Sequence, residues 1–262
     1  MKEPHYRYFI RSRWQGRTET PPTIGAKFVK TLDALSAIDS IFANWEVTDL
    51  PKMSSIHLDA ARPRIAAMIE SNVVRDDYDE PCPDDGYHAI ASAGRFKDPR
   101  SLTFKVDAGG EFNGGTLLEF AEHDVAIDLA IVTYPLFKAA LLAINAIWLA
   151  PWACAQSFRS GAVSVPIDFG GVQATRLDSV PQVPGEPTFP DTIFHIPWIA
   201  YLSAPLAAGI ELTPEILTER TPDGGLLMTA TTERLDPTNP EHVRRARILA
   251  ETMIACTGYR SS

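Results

Sequence analysis

Between residues 215 and 234 the chain reads Glu215-Ile-Leu-Thr-Glu-Arg-Thr-Pro-Asp-Gly-Gly-Leu-Leu-Met-Thr-Ala-Thr-Thr-Glu-Arg234. Two runs of strand-forming residues flank Pro222-Asp223-Gly224-Gly225, where proline presets φ and glycine accepts a positive φ. The stretch therefore predicts a β-hairpin. After the turn, Leu226, Met228 and Ala230 fall on one side of the strand, which predicts one buried face.

Helices are expected on both sides of this hairpin. On the C-terminal side, Asn239 is a capping residue, Pro240 suits the first helical position, and Gly258 is a stop signal. On the N-terminal side, the apolar run Ile196–Gly209 predicts a short buried helix. The C-terminal block thus predicts a helix, a hairpin and a second helix.

The N-terminal region predicts a strand followed by a helix. Tyr6–Trp14 is rich in aromatic residues and ends at the turn-prone Gln15-Gly16. A helix beginning at Thr20-Pro21 is indicated by apolar residues that recur at steps of three and four. These residues are Ile24, Phe28, Leu32, Leu35, Ile38, Phe42 and Trp45.

The middle of the chain mixes helices and strands. Leu58–Val74, with Pro63 near its start, predicts a helix, and residues 135–148 predict another. The apolar region Ala139–Ala155 is shorter than the roughly 20 residues of a membrane span and predicts a buried helix. Three strand-like runs separated by glycines predict an antiparallel meander. They are Tyr87–Ala93, Ser101–Val106 and Thr116–Glu122.

These elements predict an α+β fold, with mainly antiparallel sheet and flanking amphipathic helices. The pattern does not decide between strand and helix for Val125–Val132, and Gly161–Gly171 predicts a small strand. We expect a single domain over residues 1–262. Its one possible seam is Asp178–Pro190, where four prolines oppose regular structure.

Composition narrows the classes of function. A net charge of −9 opposes direct binding of nucleic acid, whose phosphates require clustered Lys and Arg, and favours a basic partner. The widely spaced Cys82, Cys154 and Cys256 indicate neither a disulfide framework nor a zinc ribbon. Residues 1–8 lack an apolar core of signal-peptide length, so we expect a cytoplasmic protein without a membrane partner.

The sequence lacks the common catalytic motifs. It contains no Gly-x-Ser-x-Gly elbow, no His-Glu-x-x-His, no Walker loop and no dinucleotide fingerprint. Six histidines are scattered without the spacing of metal ligands. We therefore expect no cofactor, no metal and no enzymatic activity.

One loop, Arg75–Gly86, is far more acidic than the rest of the chain. Around Tyr78 it carries the carboxylates Asp76, Asp77, Asp79, Glu80, Asp84 and Asp85. These residues form either a solvated connection or a docking surface for a basic protein. The alternative is a small hydrolase in which Asp76, Asp77, Asp79 and Glu80 hold a hard cation.

At several places the sequence resembles the immunity protein 52 family of bacterial polymorphic toxin systems. The middle of the chain, from Met53 to Ala130, matches that family little. The resemblance is carried by Tyr8–Arg17, Leu32–Trp45, Trp148-x-x-Pro-Trp152, Pro197–Ser203, Asp223–Thr232 and Asn239-Pro240.

This resemblance implies a non-enzymatic immunity protein that binds and neutralises one cognate toxin. Such toxins are delivered by contact-dependent secretion, type VI secretion among them, and often carry restriction-endonuclease-like domains. A nuclease domain must be basic to hold its substrate, which suits an acidic inhibitor. The matched residues Trp14, Arg17, Trp45, Trp198, Asp223, Gly224 and Gly225 are expected to determine the fold. The acidic loop is the candidate toxin-binding surface.

Overall fold

A ten-stranded antiparallel sheet forms the centre of the protein. The computed structural model describes residues 6–257 except 96, 112, 122–124, 160–164, 170–171 and 177–195. The expected seam at Asp178–Pro190 and the helix stop at Gly258 lie outside these residues. Sheet and helices together confirm the predicted α+β class.

The strands of the main sheet follow the order β11-β12-β10-β7-β1-β6-β5-β4-β2-β3, and β8 and β9 form a separate hairpin. The strands are β1 (Tyr6–Gln15), β2 (Glu46–Asp49), β3 (Ser54–His57), β4 (Tyr87–Ala93), β5 (Leu102–Ala108), β6 (Asn113–Phe120), β7 (Trp152–Arg159), β8 (Val165–Phe169), β9 (Val172–Arg176), β10 (Ile196–Leu202), β11 (Leu217–Arg220) and β12 (Leu226–Thr229). The predicted meander is confirmed as β4, β5 and β6, and the small strand as β8.

The part of the chain that the structure describes contains six α-helices. They are α1 (Pro21–Ser36), α2 (Leu58–Ala61), α3 (Ile65–Ser71), α4 (Tyr134–Trp148), α5 (Ala204–Ala207) and α6 (Pro240–Thr257). Pro63 lies in a 3-10 turn that separates α2 from α3, so the predicted helix Leu58–Val74 is broken there. The undecided segment Val125–Val132 contains only a 3-10 turn at Leu129–Ile131.

Helix α4 covers one face of the sheet through an aromatic core. Phe137 on α4 lies 4.4 Å from Phe120 of β6, 5.1 Å from Trp198 of β10 and 6.2 Å from Tyr8 of β1, measured between ring centroids. All four side chains are buried. Burial of these aromatic rings contributes hydrophobic stabilisation on this face.

On the opposite face, α6 packs against β10. The register places Ala200 beside Cys154 and Met228, and all three are fully buried. Because α4 occupies the face that carries Trp198, we infer that α6 covers this one. The predicted N-terminus of α6 is confirmed, since the Asn239 Oδ1 accepts a hydrogen bond from the Glu241 N–H at 3.0 Å.

Burial on two faces explains the segments that the sequence misassigned. Ile196–Gly209 is not a helix but strand β10 followed by the short α5. A strand buried on both faces has no alternation, so its apolar run cannot be told from a buried helix. Strand β12 is likewise buried on both faces, not on one. The confirmed hairpin joins β11 to β12.

The helix predicted over residues 135–148 is confirmed as α4. Two apolar patterns, however, extend beyond the helices that they predicted. In Ala139–Ala155 the helix stops at Trp148, Leu149 takes a left-handed φ of 50°, and β7 begins after Pro151. Helix α1 stops at Ser36, although the apolar stripe continues into buried residues of the following loop. Those residues are Phe42 and Trp45, which are 0% and 1% exposed.

Candidate functional site

The acidic segment joins helix α3 to strand β4 at one end of the sheet. Two isolated bridges hold its base, one between Val73 and Tyr87 and one between Arg75 and Pro81. Residues 76–85 are called the acidic loop below. Its candidate binding residues are all exposed: Asp76, Asp77, Tyr78, Asp79, Glu80, Asp84 and Asp85.

Asp76 organises the first half of the acidic loop. Its Oδ1 accepts hydrogen bonds from the N–H groups of Tyr78 and Glu80, both at 2.9 Å. The backbone closes the turn, since the Asp76 N–H donates to the Glu80 carbonyl at 3.0 Å and the Asp79 N–H donates to the Asp76 carbonyl at 3.0 Å. An aspartate that bonds backbone groups two and four residues ahead stabilises a tight turn. The loop thus has a defined hydrogen-bonded structure.

Tyr78 lies at the tip of this turn and is 87% exposed. The Tyr78 ring is therefore not packed back on the domain. Arg75, directly before the acidic loop, contacts this turn: its Nη1 donates to the Asp79 carbonyl at 2.6 Å and lies 3.8 Å from the Asp79 Oδ1. The loop presents an aromatic ring surrounded by negative charge.

The second half of the acidic loop packs on the connection between β5 and β6. The Glu111 N–H donates to the Asp84 carbonyl at 2.8 Å. At Gly86, whose φ is +100°, a Cβ atom would lie 2.6 Å from the Ala108 carbonyl oxygen. Glycine is therefore required where the loop meets the sheet. Glu111 is exposed and adds a carboxylate to this end of the molecule.

A His–Asp pair lies on the adjacent strands. The Nδ1 of His88 on β4 is 2.6 Å from the Oδ1 of Asp107 on β5. The hydrogen bond to Asp107 raises the pKa of His88, and partial burial opposes this shift. The pairing therefore favours the protonated imidazole, which offsets part of the negative charge at this end.

The opposite end of the same strands carries basic residues. The connection from β4 to β5 contains Arg95, Lys97 and Arg100, and the Nε of Arg100 lies 3.6 Å from the Oδ2 of Asp128. The acidic loop and this basic connection are separated by the length of β4, Tyr87–Ala93. Charge is thus unevenly distributed along the strand direction, with the negative side at the acidic loop.

The carboxylates of the acidic loop do not converge on a cation site. Across the described residues, no group of three or more His, Cys, Asp and Glu side chains is placed to hold a metal ion. One of the proposed ligands, Asp76, already accepts two backbone hydrogen bonds. The geometry gives no support to the hydrolase alternative built on Asp76, Asp77, Asp79 and Glu80.

Two of the family-matched residues belong to an aromatic and ionic cluster near the same end of the sheet. The rings of Trp14 and Trp148 are stacked, and the guanidinium carbon of Arg17 lies 4.6 Å from the Trp14 ring centroid. Arg17 also donates to the Trp148 carbonyl at 2.7 Å. Burial lowers the pKa of Arg17, an effect that the nearby Glu19 carboxylate opposes. The cluster joins β1 to the end of α4.

Three more matched residues form the hairpin turn. The Asp223 carboxylate accepts hydrogen bonds from the Tyr201 hydroxyl at 2.6 Å, from the Thr221 hydroxyl at 2.5 Å and from the Gly225 N–H at 3.2 Å. Gly224 has a φ of +82°, and a Cβ at Gly225 would lie 2.6 Å from the Tyr201 ring. These residues tie the turn to strand β10.

The two remaining matched residues, Trp45 and Trp198, are buried in the core. Trp198 donates from Nε1 to the Thr231 carbonyl at 2.8 Å. Trp45 stacks on Phe42 with ring centroids 6.4 Å apart. All seven matched residues make contacts within the domain, which gives each of them a structural role.

Comparison with known proteins gives little to assign a family. No protein-family model matches the chain, and no curated protein matches it. Among solved structures it is similar to the Pseudomonas aeruginosa T6SS protein PA0821, with a TM-score of 0.48 and 11% sequence identity. This similarity covers 87% of the present chain and 66% of the other. Membership of the immunity protein 52 family therefore stays a prediction, and a similarity at this level carries no functional argument.

The structure adds features to this end of the sheet that the sequence did not indicate. Glu111 and Asp107 come from a different connection and strand, so their proximity to the acidic loop follows from the sheet register. Strands β2 and β3, of four residues each, were not predicted from the sequence. The described stretches of the chain contain no helix with the length and apolarity that spanning a bilayer requires.

Proposed function

We propose that this chain is an immunity protein that binds and neutralises a basic toxin, with the acidic loop as part of the toxin-facing surface. The observation that carries the proposal is the hydrogen-bonded turn that presents Tyr78 at 87% exposure among carboxylates. The resemblance to immunity proteins supplies the class of partner. The proposed role is one of binding and involves no catalysis.

The charge of the surface suits this role. Six carboxylates within ten residues repel one another, which disfavours the isolated fold, and a cationic partner relieves that repulsion. The net charge of −9 adds long-range attraction toward such a partner. We expect this attraction to act chiefly on the rate of association.

The exposed tyrosine supplies a short-range contact. Its ring combines a large apolar area with a polar hydroxyl, and aromatic residues at interface centres often contribute about 2 kcal/mol or more to binding. Because Asp76 fixes the backbone on both sides of Tyr78, little conformational entropy remains to be lost at the turn on binding. The structure therefore favours Tyr78 as the anchor within the acidic loop.

The proposal is tested with the basic toxin domain that we expect in the neighbouring reading frame. Coexpression of this chain should restore growth to cells that produce the toxin, and the two purified proteins should form a complex. Tyr78→Ala should weaken the complex about tenfold or more. Leu217→Ala, which removes an apolar side chain that is 46% exposed on β11, is the matched control and should bind normally.

The outcomes separate two parts of the proposal. Absence of both protection and complex formation would refute the immunity function. A complex that tolerates Tyr78→Ala as well as Leu217→Ala would instead remove Tyr78 from the interface and leave the immunity function intact.

A further inference from the structure

The two edges of the main sheet differ in how they are protected. Strand β11 forms one edge and β3 forms the other. All four side chains of β11 are exposed, and two of them, Glu219 and Arg220, are charged. Glu219 forms an ion pair with Lys138 of α4. Charged side chains on an edge strand oppose the addition of another strand.

Strand β3 lacks these protective features. Its residues are Ser54, Ser55, Ile56 and His57, and its register with β2 is regular, without a bulge. It contains no Lys and no Pro, the residues that commonly block an edge. Met53, directly before the strand, is 84% exposed. This edge therefore offers accessible backbone groups next to an exposed apolar side chain.

The hydrogen-bond pattern shows which backbone groups point outward. The Leu58 N–H donates to the Trp45 carbonyl at 2.8 Å. Along an antiparallel ladder, facing residues alternate between hydrogen-bonded and non-hydrogen-bonded pairs. Since Leu58 belongs to a hydrogen-bonded pair, Ile56 and Ser54 also direct their backbone groups toward β2. The N–H and C=O of Ser55 and the N–H of His57 consequently face away from the sheet. No strand of the described residues lies on that side.

Asn72 links the β2–β3 hairpin to the segment that precedes the acidic loop. The Asn72 Oδ1 accepts a hydrogen bond from the Leu50 N–H at 3.1 Å, and its Nδ2 donates to the Thr48 carbonyl at 3.4 Å. Asn72 thereby joins the end of β2 to the segment that leads into the acidic loop. If a strand were bound along β3, the part of it beside Ser54 would lie at the end of the sheet that carries the acidic loop.

We propose that β3 binds a β-strand of the basic toxin, and that this bound strand becomes the eleventh strand of the sheet. This inference rests on the proposed function. The bound strand pairs with the outward groups of Ser55 and His57, and its basic side chains lie at the end of β3 nearest the acidic loop. Main-chain pairing of this kind provides affinity, while neighbouring side chains provide specificity. A net charge of −9 on each copy opposes a second copy of this chain as the occupant.

The first test is hydrogen exchange on the wild-type chain, alone and mixed with the toxin domain from the neighbouring reading frame. The Ser55 and His57 amides should exchange rapidly in the free protein and slowly in the complex. The Thr218 amide is the control. Since the Thr221 N–H donates to the Gly225 carbonyl at 3.0 Å, the same alternation places Thr218 outward on the β11 edge. Its exchange should not change.

The second test uses matched proline substitutions. Ser55→Pro and Thr218→Pro each remove one outward N–H, which an edge strand tolerates because no internal ladder bond is lost. Ser55→Pro should weaken toxin binding about tenfold, while Thr218→Pro stays within about twofold of wild type. Ser55→Ala controls for the loss of the hydroxyl, whose oxygen lies 3.4 Å from the Thr48 Oγ1, and should bind normally.

Each result decides between distinct conclusions. A complex without protection at Ser55 and His57, together with normal binding by Ser55→Pro, would overturn the strand-addition inference while the immunity function stands. If the Ser55 and His57 amides became protected from exchange as the concentration of this chain alone was raised, the occupant would be a second copy. That result would also overturn the inference of toxin binding at β3. Failure of the wild-type chain to bind the toxin would refute the proposed function itself.

Discussion

Trp14 and Trp148 lie stacked, with ring centroids 5.5 Å apart and ring planes inclined by 7°. The pair joins the end of the central strand β1 to the last residue of α4. Its position depends on Gly114 of β6, where a Cβ atom would lie 2.1 Å from the Trp14 Nε1. The ring thus occupies the space that any other side chain at position 114 would need.

Gly114→Ala is therefore expected to destabilise the protein by about 1–3 kcal/mol, because the added methyl group displaces the Trp14 ring from a packed core. The free energy of unfolding in urea measures this cost. In a Trp14→Val background the ring is absent, so the same substitution should cost less. Equal costs in the two backgrounds would contradict the assigned contact.

The turn at Asp223 predicts a dependence of stability on pH. Hydrogen bonds from Thr221, then from Tyr201, lower the pKa of Asp223 below its ordinary value. A lowered pKa in the folded state stabilises the fold above the ordinary pKa, and this stabilisation is lost as pH falls through the folded-state pKa. Burial, aided by the hydrogen bond to Asp223, raises the pKa of Tyr201, so the phenol stays protonated as a donor.

Wild type should consequently exceed Asp223→Asn in stability at neutral pH, and the difference should shrink below about pH 4. Urea midpoints at neutral and acidic pH provide the measurement. Glu251→Gln, which removes an exposed charge from α6, controls for a general change in net charge. A difference between wild type and Asp223→Asn that is independent of pH would exclude the Asp223 carboxylate as its source.

The sequence predicted those parts of the fold that local chemistry specifies. The hairpin follows from Pro222 and Gly224, and the meander from alternation between glycine pairs. Strand β10 was missed because its residues 197–202 are buried on both faces, where strand and helix patterns coincide. The helix predicted over residues 135–148 matches α4, but the longer apolar run Ala139–Ala155 extends past it. Leu149 ends the helix in a left-handed conformation that its residue type does not announce.

The candidate site was predictable in composition but not in geometry. Six carboxylates around Tyr78 are evident from the sequence. The double acceptor role of Asp76, the approach of Glu111 and the open edge at β3 depend on the turn and on strand register. Register is set by contacts between distant segments, which a single sequence does not display.

Divalent cations should leave the stability of the protein unchanged. If the acidic loop held a metal, millimolar magnesium or manganese would raise the melting temperature by ligand linkage, and Asp79→Ala would abolish that rise. No group of three or more His, Cys, Asp and Glu side chains among the described residues could hold a metal ion, so we expect no shift for either wild type or Asp79→Ala. A metal-dependent stabilisation, or a metal-dependent hydrolytic activity, that disappears in Asp79→Ala would revive the hydrolase alternative.

The central claim is that the acidic loop steers a basic toxin. Electrostatic steering acts over the Debye length, about 30 Å at 0.01 M salt and about 3 Å at 1 M salt. Association should therefore be fast at low salt and slow steeply as salt rises. Asp77→Asn, Asp79→Asn and Glu80→Gln together remove three of the six negative charges of the acidic loop, while Asp76 keeps the turn. The control triple is Glu211→Gln, Glu233→Gln and Glu251→Gln, which makes the same change in net charge elsewhere on the exposed surface.

The decisive measurement is the association rate constant of each variant with the purified toxin domain, obtained by stopped-flow mixing at low and at high salt. At low salt the loop triple should associate about tenfold more slowly than wild type, and the control triple should show a much smaller effect. At high salt the three proteins should converge. Equal association rates for wild type and the loop triple at low salt, or equal slowing by both triples, would contradict the assignment of the acidic loop as the steering surface.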